Sequence, residues 1–251
     1  MGNSAKTILI TGAAKRLGRA LALDAAKHGW NVVIHYNGSE ADAERTASDV
    51  RACGVKATTI KADLGREEDV AGLVAKAGPL TALINNASIF EYDDWQSATR
   101  ESWDRHMEIN LRAPFVLSQA FAKQLGADAT GVIINIIDQR VLKPTPQFMS
   151  YSLSRAGLHW LTHTLAQALA PRVRVNAVAP GPSFIGARQS QENYDRQRSS
   201  TILERGAEVE DLVGAARYLL EASSVTGQMI TVDGGQHLSW QTPRSEEHTS
   251  E

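Results

Sequence analysis

Two residues four positions apart carry the strongest chemical signal in the chain. Tyr151 and Arg155, in Tyr151-Ser152-Leu153-Ser154-Arg155, fall on one face of a helix. A cation beside a phenol favours the ionised form, so the pairing predicts a tyrosine tuned toward proton donation near neutral pH. Far upstream, the turn Thr11-Gly12-Ala13-Ala14-Lys15-Arg16-Leu17-Gly18 follows an apolar run, Thr7-Ile8-Leu9-Ile10, and opens an Ala/Leu-rich segment. A strand, a glycine-bearing turn and a helix in that order offer backbone N–H groups and a positive helix end to a pyrophosphate. A dinucleotide site combined with a tuned phenol is equipment for hydride transfer coupled to proton transfer.

Such groups need a scaffold, and the hydrophobic pattern supplies one. Strands are expected at Thr7–Thr11, Asn31–Tyr36, Ala57–Lys61, Ala82–Asn85, Gly131–Ile137, Arg174–Val178 and Gln228–Val232. Helices are expected between them, at Arg16–His28, Glu40–Ala52, Glu67–Ala77, Glu101–Leu125, Tyr151–Leu169 and Glu208–Leu220. The alternation predicts a single α/β domain over residues 1–243, a Rossmann-type doubly wound parallel sheet of about seven strands with helices on both faces. Near-continuous apolar strands such as Val132-Ile133-Ile134 fit a sheet buried on both sides. Gly181–Thr201 is polar and aperiodic and follows Pro180. It reads as a mobile loop with a short helix over the site, in the manner of a lid.

Composition removes several function classes. A formal net charge of −2 gives no general attraction to nucleic acid or an anionic membrane. The one cysteine, Cys53, excludes an intrachain disulfide and suits a reducing cytoplasm, the expected location. No apolar run approaches the ~20 residues of a membrane span, and Met1–Lys6 has no apolar signal core. The last residues, Arg244–Glu251, are polar without an apolar period and look like a translated sequencing-adapter read-through. They are expected to be foreign to the protein and are left out of the fold.

Seven ordered motifs resemble the short-chain dehydrogenase/reductase family. They are Thr11-Gly12 with Gly18, Asp63-Leu64, Asn85-Asn86-Ala87, Asn110 with Pro114, Tyr151 with Arg155, Pro180-Gly181, and Asp233-Gly234-Gly235. The likeness runs from about Lys6 to Trp240. Within the family the chain is most similar to the pteridine reductases. Arg16 replaces the usual middle glycine of the turn, and Asn-Asn-Ala extends into Asn86-Ala87-Ser88-Ile89-Phe90. Asp138 stands where most relatives carry serine, and Tyr151 follows it by thirteen residues, the spacing of that subgroup.

The choice of cofactor rests on the end of the second strand. An acid there would bind the adenine ribose and repel a 2′-phosphate. His35-Tyr36-Asn37-Gly38-Ser39 holds no acid before Glu40, Lys15 and Arg16 add positive charge, and Ser39 can donate to a phosphate. NADP(H) is therefore expected. Gly12 permits the tight turn and Gly18 lets the helix approach closely. The resemblance implies that Asp63 receives the adenine amino group with the Leu64 backbone nearby, and that Asn86 and Ala87 face the ribose. It also brings Leu17, Tyr36, Pro180 and Gly181 to the cofactor, together with Tyr151 and Arg155.

At the reaction centre the expected catalytic residues are Asn110, Asp138, Tyr151 and Arg155. In the family the asparagine matching Asn110 kinks its helix and holds a water of the proton relay. Arg155 stands where the family has lysine, and a guanidinium is effectively never deprotonated, so charge survives while relay suffers. Ser88, Phe90, Asp138 and Tyr151 are the expected substrate contacts, with Phe90 stacking on a flat ring and Asp138 gripping an N–H-rich heterocycle. The expected activity is NADPH-dependent reduction of a pterin. Reduction of ketones or 3-ketoacyl groups is one alternative, and a weakly catalytic NADP-binding sensor is another. His159 and His163 have the spacing of a metal pair but no third ligand or catalytic glutamate, so no metal is expected. Leu158, Leu161, Leu165 and Leu169 serve helix packing, and the resemblance implies a homo-oligomer, tetramer or dimer.

Overall fold

The computed structural model describes residues 6–183 and 190–239. The expected foreign tail and residues 184–189 of the expected lid lie outside them. Seven parallel strands form one sheet in the order β3-β2-β1-β4-β5-β6-β7. They are β1 (Thr7–Ile10), β2 (Asn31–Tyr36), β3 (Ala57–Lys61), β4 (Ala82–Asn85), β5 (Gly131–Ile136), β6 (Val173–Pro180) and β7 (Met229–Val232). The helices are α1 (Arg16–Lys27), α2 (Glu40–Ala52), α3 (Glu67–Ala77), α4 (Arg100–Met107), α5 (Ala113–Gln124), α6 (Met149–Leu169), α7 (Gln191–Ser199) and α8 (Val209–Glu221).

Strand side chains alternate between two cores, as a period of two requires. Ile8, Ile10, Val32, Ile34 and Ile84 pack with Leu21 of α1, Ala43 of α2 and Leu212 of α8. Leu9, Val33, Leu83 and Ile133 pack on the other side with Leu73 of α3, Phe121 of α5 and Leu165 of α6. Both faces are covered, which explains strands without polar alternation. The strand order turns back between β1 and β4, and the crevice beyond their carboxyl ends is where such sheets take ligands. No helix among the described residues is long and apolar enough to cross a membrane.

The expected helix Glu101–Leu125 is not one regular helix. A π-helical turn, Glu108–Arg112, separates α4 from α5. Pro114 explains the break: it has no N–H to donate to the Asn110 carbonyl four residues back. The interruption leaves Asn110 in the turn with its side chain completely buried, and π turns of this kind are frequent at functional sites. Within the expected lid, Gln191–Ser199 forms α7, capped by Ser190, whose hydroxyl accepts from Asn193 N–H.

Candidate active site

The cofactor corner is built from backbone turns locked together by short side chains. Thr11, just past β1, accepts the N–H groups of Asn86 (2.9 Å) and Ala87 (3.0 Å) on its hydroxyl. The Asn86 amide returns a hydrogen bond to the Thr11 carbonyl at 2.8 Å. A Cβ on Gly18 would lie 2.2 Å from the Gly12 carbonyl oxygen, so only glycine lets α1 start this close to the turn. Gly12 (φ 63°) and Arg16 (φ 52°) both occupy the left-handed region, which is costly for arginine. A cavity of about 400 Å³ opens over this corner, within the range of small-molecule sites. Its wall includes Gly12, Lys15, Arg16, Leu17 and Gly18 of the turn, Asp63 and Leu64 beyond β3, and Asn86, Ala87 and Ser88 beyond β4. Ten of the expected site residues therefore meet in one place.

His35, which no sequence motif singles out, completes this wall with Asn37, Ile89 and Ile109. Its Nδ1 accepts the Gly12 N–H at 3.0 Å and its Nε2 lies 3.1 Å from the Ala62 carbonyl. Those partners require the neutral ring with its proton on Nε2. Burial, the largest influence, lowers the pKa below the ordinary 6.5, against the raising effects of the Ala62 carbonyl and Asp63.

The reaction centre is assembled from side chains of four segments of the chain. The hydroxyl of Tyr151, in the first turn of α6, donates to Asp138 Oδ2 at 2.8 Å. Asp138 also caps the following 3₁₀ turn, accepting from Arg140 N–H at 2.9 Å, so it holds both the phenol and its own loop. Arg155 is 3% exposed; its guanidinium carbon lies 5.3 Å from the Tyr151 ring centroid, and one N–H reaches the Ile136 carbonyl at 3.3 Å. Its Nε is buried with no partner among the described residues. Phe90 is 50% exposed and meets Tyr151 edge-on at 4.6 Å between centroids. Asn110 clasps the Ile89 backbone, accepting its N–H and donating to its carbonyl, both at 3.0 Å, and reaches Ser154 Oγ at 3.2 Å. Ser88 and Ile89 belong to the cavity and Phe90 to the reaction centre, so this one loop joins the two.

The comparisons agree with this architecture. The family model described as short chain dehydrogenase matches residues 6–194. The chain belongs to the short-chain dehydrogenase/reductase family. A short-chain type dehydrogenase/reductase of Picea abies is 33% identical, with 92% of each chain covered. A 3-oxoacyl-[acyl-carrier-protein] reductase of Staphylococcus epidermidis is 31% identical, covering 93% of this chain and 99% of that one. In structure, the FolM alternative dihydrofolate reductase 1 of Brucella canis, complexed with NADP, matches at a TM-score of 0.91 and 46% identity. That match covers 95% of this chain and 96% of the Brucella protein.

Some expected cofactor residues are off this cavity wall or engaged within the chain. Tyr36 packs in the core with its hydroxyl toward Glu40 and Glu44, off the cavity wall. Ser39 caps α2 without a side-chain hydrogen bond and is not on that wall either. Lys15 lines the cavity but is paired with Asp42 at 2.5 Å. Pro180 ends β6, and Gly181 is explained by packing, since a Cβ there would meet Asp233 Cβ at 2.5 Å. Arg155 does pull the phenol downward, as expected, but it does not set the net shift. The Tyr151 hydroxyl is pushed well above its usual range, by burial first and by the Asp138 carboxylate second, and the lowering effect of Arg155 is smaller. His159 and His163 stack edge to face at 4.7 Å, and no group of three potential metal ligands occurs among the described residues.

A buried polar chain, invisible in the motifs, fixes the start of α6. Phe148 occupies the N-cap position in the left-handed region (φ 58°), with no capping side chain of its own. Asp93, from the loop after β4, caps the helix instead. Its Oδ1 accepts from Ser150 N–H at 3.1 Å, its Oδ2 accepts from the Ser150 hydroxyl, and its carbonyl accepts from Phe148 N–H at 2.7 Å. His106 of α4 closes the chain, with Nδ1 2.7 Å from Ser150 Oγ and Nε2 accepting Glu91 N–H at 3.2 Å. Asp93, His106 and Ser150 are all essentially inaccessible. Thus the residue before Tyr151 is tied to the loop that carries Phe90. In sequence, Asp93 sits in Glu91-Tyr92-Asp93-Asp94 and reads as a solvated acidic run.

Proposed function

We propose that this chain is an NADPH-dependent reductase of pterin-type substrates. The observation that carries the reading is the hydrogen bond of 2.8 Å between the Tyr151 hydroxyl and Asp138. A simple ketone needs one proton donor. A carboxylate beside that donor suits a ring presenting N–H groups and a basic nitrogen together. The Brucella protein's description as an alternative dihydrofolate reductase supports this class. The 3-oxoacyl reductase relative keeps a ketoreductase as the second reading. NADP(H) is supported by the acid-free end of β2, by Lys15 and Arg16 on the cavity wall, and by the NADP of the Brucella complex.

Bound NADPH would supply the hydride. The turn at Gly12–Gly18 and the start of α1 would cradle its pyrophosphate, and the unpartnered Nε of Arg155 fits a buried ribose contact. As hydride adds to the carbon of a ring C=N bond, Tyr151 gives its proton to the nitrogen, leaving C–H and N–H where the double bond stood. Asp138 aligns the phenol and grips ring N–H groups, and Phe90 stacks on the ring. Leu153 and Trp160, exposed on α6, are in keeping with a homo-oligomer, and a cytoplasmic location suits the single cysteine. The test is NADPH consumption with dihydropterins, quinonoid pterins and ketones in parallel. The pterin reading expects turnover on a pterin; turnover confined to ketones refutes it.

A further inference from the structure

A second cavity, of about 330 Å³, opens between the start of α1 and the outer face of α2. Its wall is almost wholly charged: Lys15, Arg16, Arg19 and Arg45 against Asp42 and Asp49. Lys15 and Arg16 also line the cofactor cavity, whereas the other four do not. These two residues of the turn therefore stand between a pocket that holds carboxylates and the place of the cofactor.

Helix α2 presents its acids in a fixed register. Buried Thr46 donates its hydroxyl to the Ala14 carbonyl at 3.0 Å and clamps the helix to the turn. Asp42 lies four residues before Thr46 and Asp49 three after it, so the three share one helix face. Asp42 meets Lys15 Nζ at 2.5 Å, and Asp49 meets Arg19 at 2.7 Å. The Asp42 side chain is the more enclosed, 20% exposed against 47%, and it also holds Arg45, three residues on. Lys15 can thus serve either cavity: outward it pairs with Asp42, and inward it would meet a phosphate. The outward pair is easily broken, because the lysine side chain is 55% exposed and such pairs are weak. Breaking it strands no charge, since Arg45 stays with the carboxylate.

We propose that Asp42 is a specificity-determining residue, an internal competitor of the cofactor's 2′-phosphate for Lys15. The proposal rests on the NADP(H) reading and goes beyond it. An acid at the end of β2 would face the ribose and reject the phosphorylated cofactor outright. Asp42 acts from the neighbouring helix, through the lysine, and moderates affinity for NADPH without excluding it. Held outward, Lys15 contributes less to phosphate binding than its charge allows. NADH has no 2′-phosphate to exchange for the carboxylate, so Asp42 bears on one cofactor and not the other. It takes no part in the hydride or proton step.

The test is a binding titration of NADPH and of NADH at low ionic strength, with no substrate present. It is made on the wild type, on Asp42→Asn, and on Lys15→Ala with and without Asp42→Asn. Asparagine keeps the shape and removes the charge, and NADH binding reports that each variant is folded. In Asp42→Asn the ratio of Kd for NADH to Kd for NADPH should rise about threefold or more, the scale of one exposed ion pair released. The rise should come from tighter NADPH binding. In the Lys15→Ala background the same change should leave the ratio within about twofold, because the two residues act as a pair. Asp42→Ser, equally uncharged, should repeat the result of Asp42→Asn. A smaller rise, a level ratio or a fall in both variants overturns the proposal, and so does a rise that persists without Lys15. A wild type that favours NADH refutes the NADP(H) reading itself, whereas a wild type that favours NADPH with a level ratio refutes only the role of Asp42.

Discussion

The cofactor corner and the reaction centre are neighbours built differently. At the corner, neighbouring backbone turns are held in direct contact: the Thr11 hydroxyl ties two strand ends together, and Gly18 is required because a Cβ would strike the Gly12 carbonyl. At the reaction centre, position is set by side chains from distant loops. Tyr151 is aimed by Asp138, its helix start is capped by Asp93, and the loop bearing Phe90 is clasped by Asn110. The first kind of construction tolerates surface variation but no added Cβ. The second can be disconnected one hydrogen bond at a time, with the fold and the cofactor corner intact.

The largest expected effect follows from the phenol itself. Tyr151→Phe should lower turnover by roughly 10²-fold or more, the scale of a lost general acid, while NADPH affinity measured by titration changes little. Near-normal turnover would remove Tyr151 from its role.

Next comes the buried cap. Asp93→Asn keeps the shape but removes the charge that holds Ser150 and, through it, His106. We expect kcat to fall between about tenfold and 10²-fold through misplacement of Tyr151, with NADPH affinity preserved. If affinity falls in step with kcat, the two regions are not separately built.

The smallest effect is acid lability of the corner. The His35 pKa lies below its ordinary value in the folded chain, so the fold favours the neutral ring. Its contribution to stability is fully present above pH about 6.5 and is lost as pH falls through the lowered value. Protonation would turn Nδ1 into a donor facing the Gly12 N–H. The melting temperature of the wild type should therefore drop more steeply below pH 6.5 than that of His35→Gln. Parallel curves would assign the acid limb to other groups.

The same contrast explains what the sequence disclosed. The ends of α2 and β4 match expectation to the residue, because local sequence specifies them: acids in the first turn and a base in the last for α2, a short apolar run for β4. The turn glycines were readable for the same reason. The break at Asn110 was not legible from periodicity, since the apolar pattern continues through it and the cause is one missing N–H at Pro114. The upward shift of the Tyr151 hydroxyl also escaped the i, i+4 pattern, because burial and Asp138 outweigh the cation one turn away. Asp93 and His35 bond to partners far away in the chain, where spacing carries no signal.

The most direct test concerns the bond between Tyr151 and Asp138. The ratio of kcat/KM for a dihydropterin to that for a simple ketone should be measured in wild type and in Asp138→Ser. Serine leaves a hydroxyl for a ketone oxygen but cannot grip ring N–H groups as a carboxylate does. The pterin reading predicts that the ratio falls sharply in the variant, through loss of pterin reduction with ketone reduction kept or gained. A ratio that does not fall would reduce Asp138 to the cap of its own turn and leave a general ketoreductase.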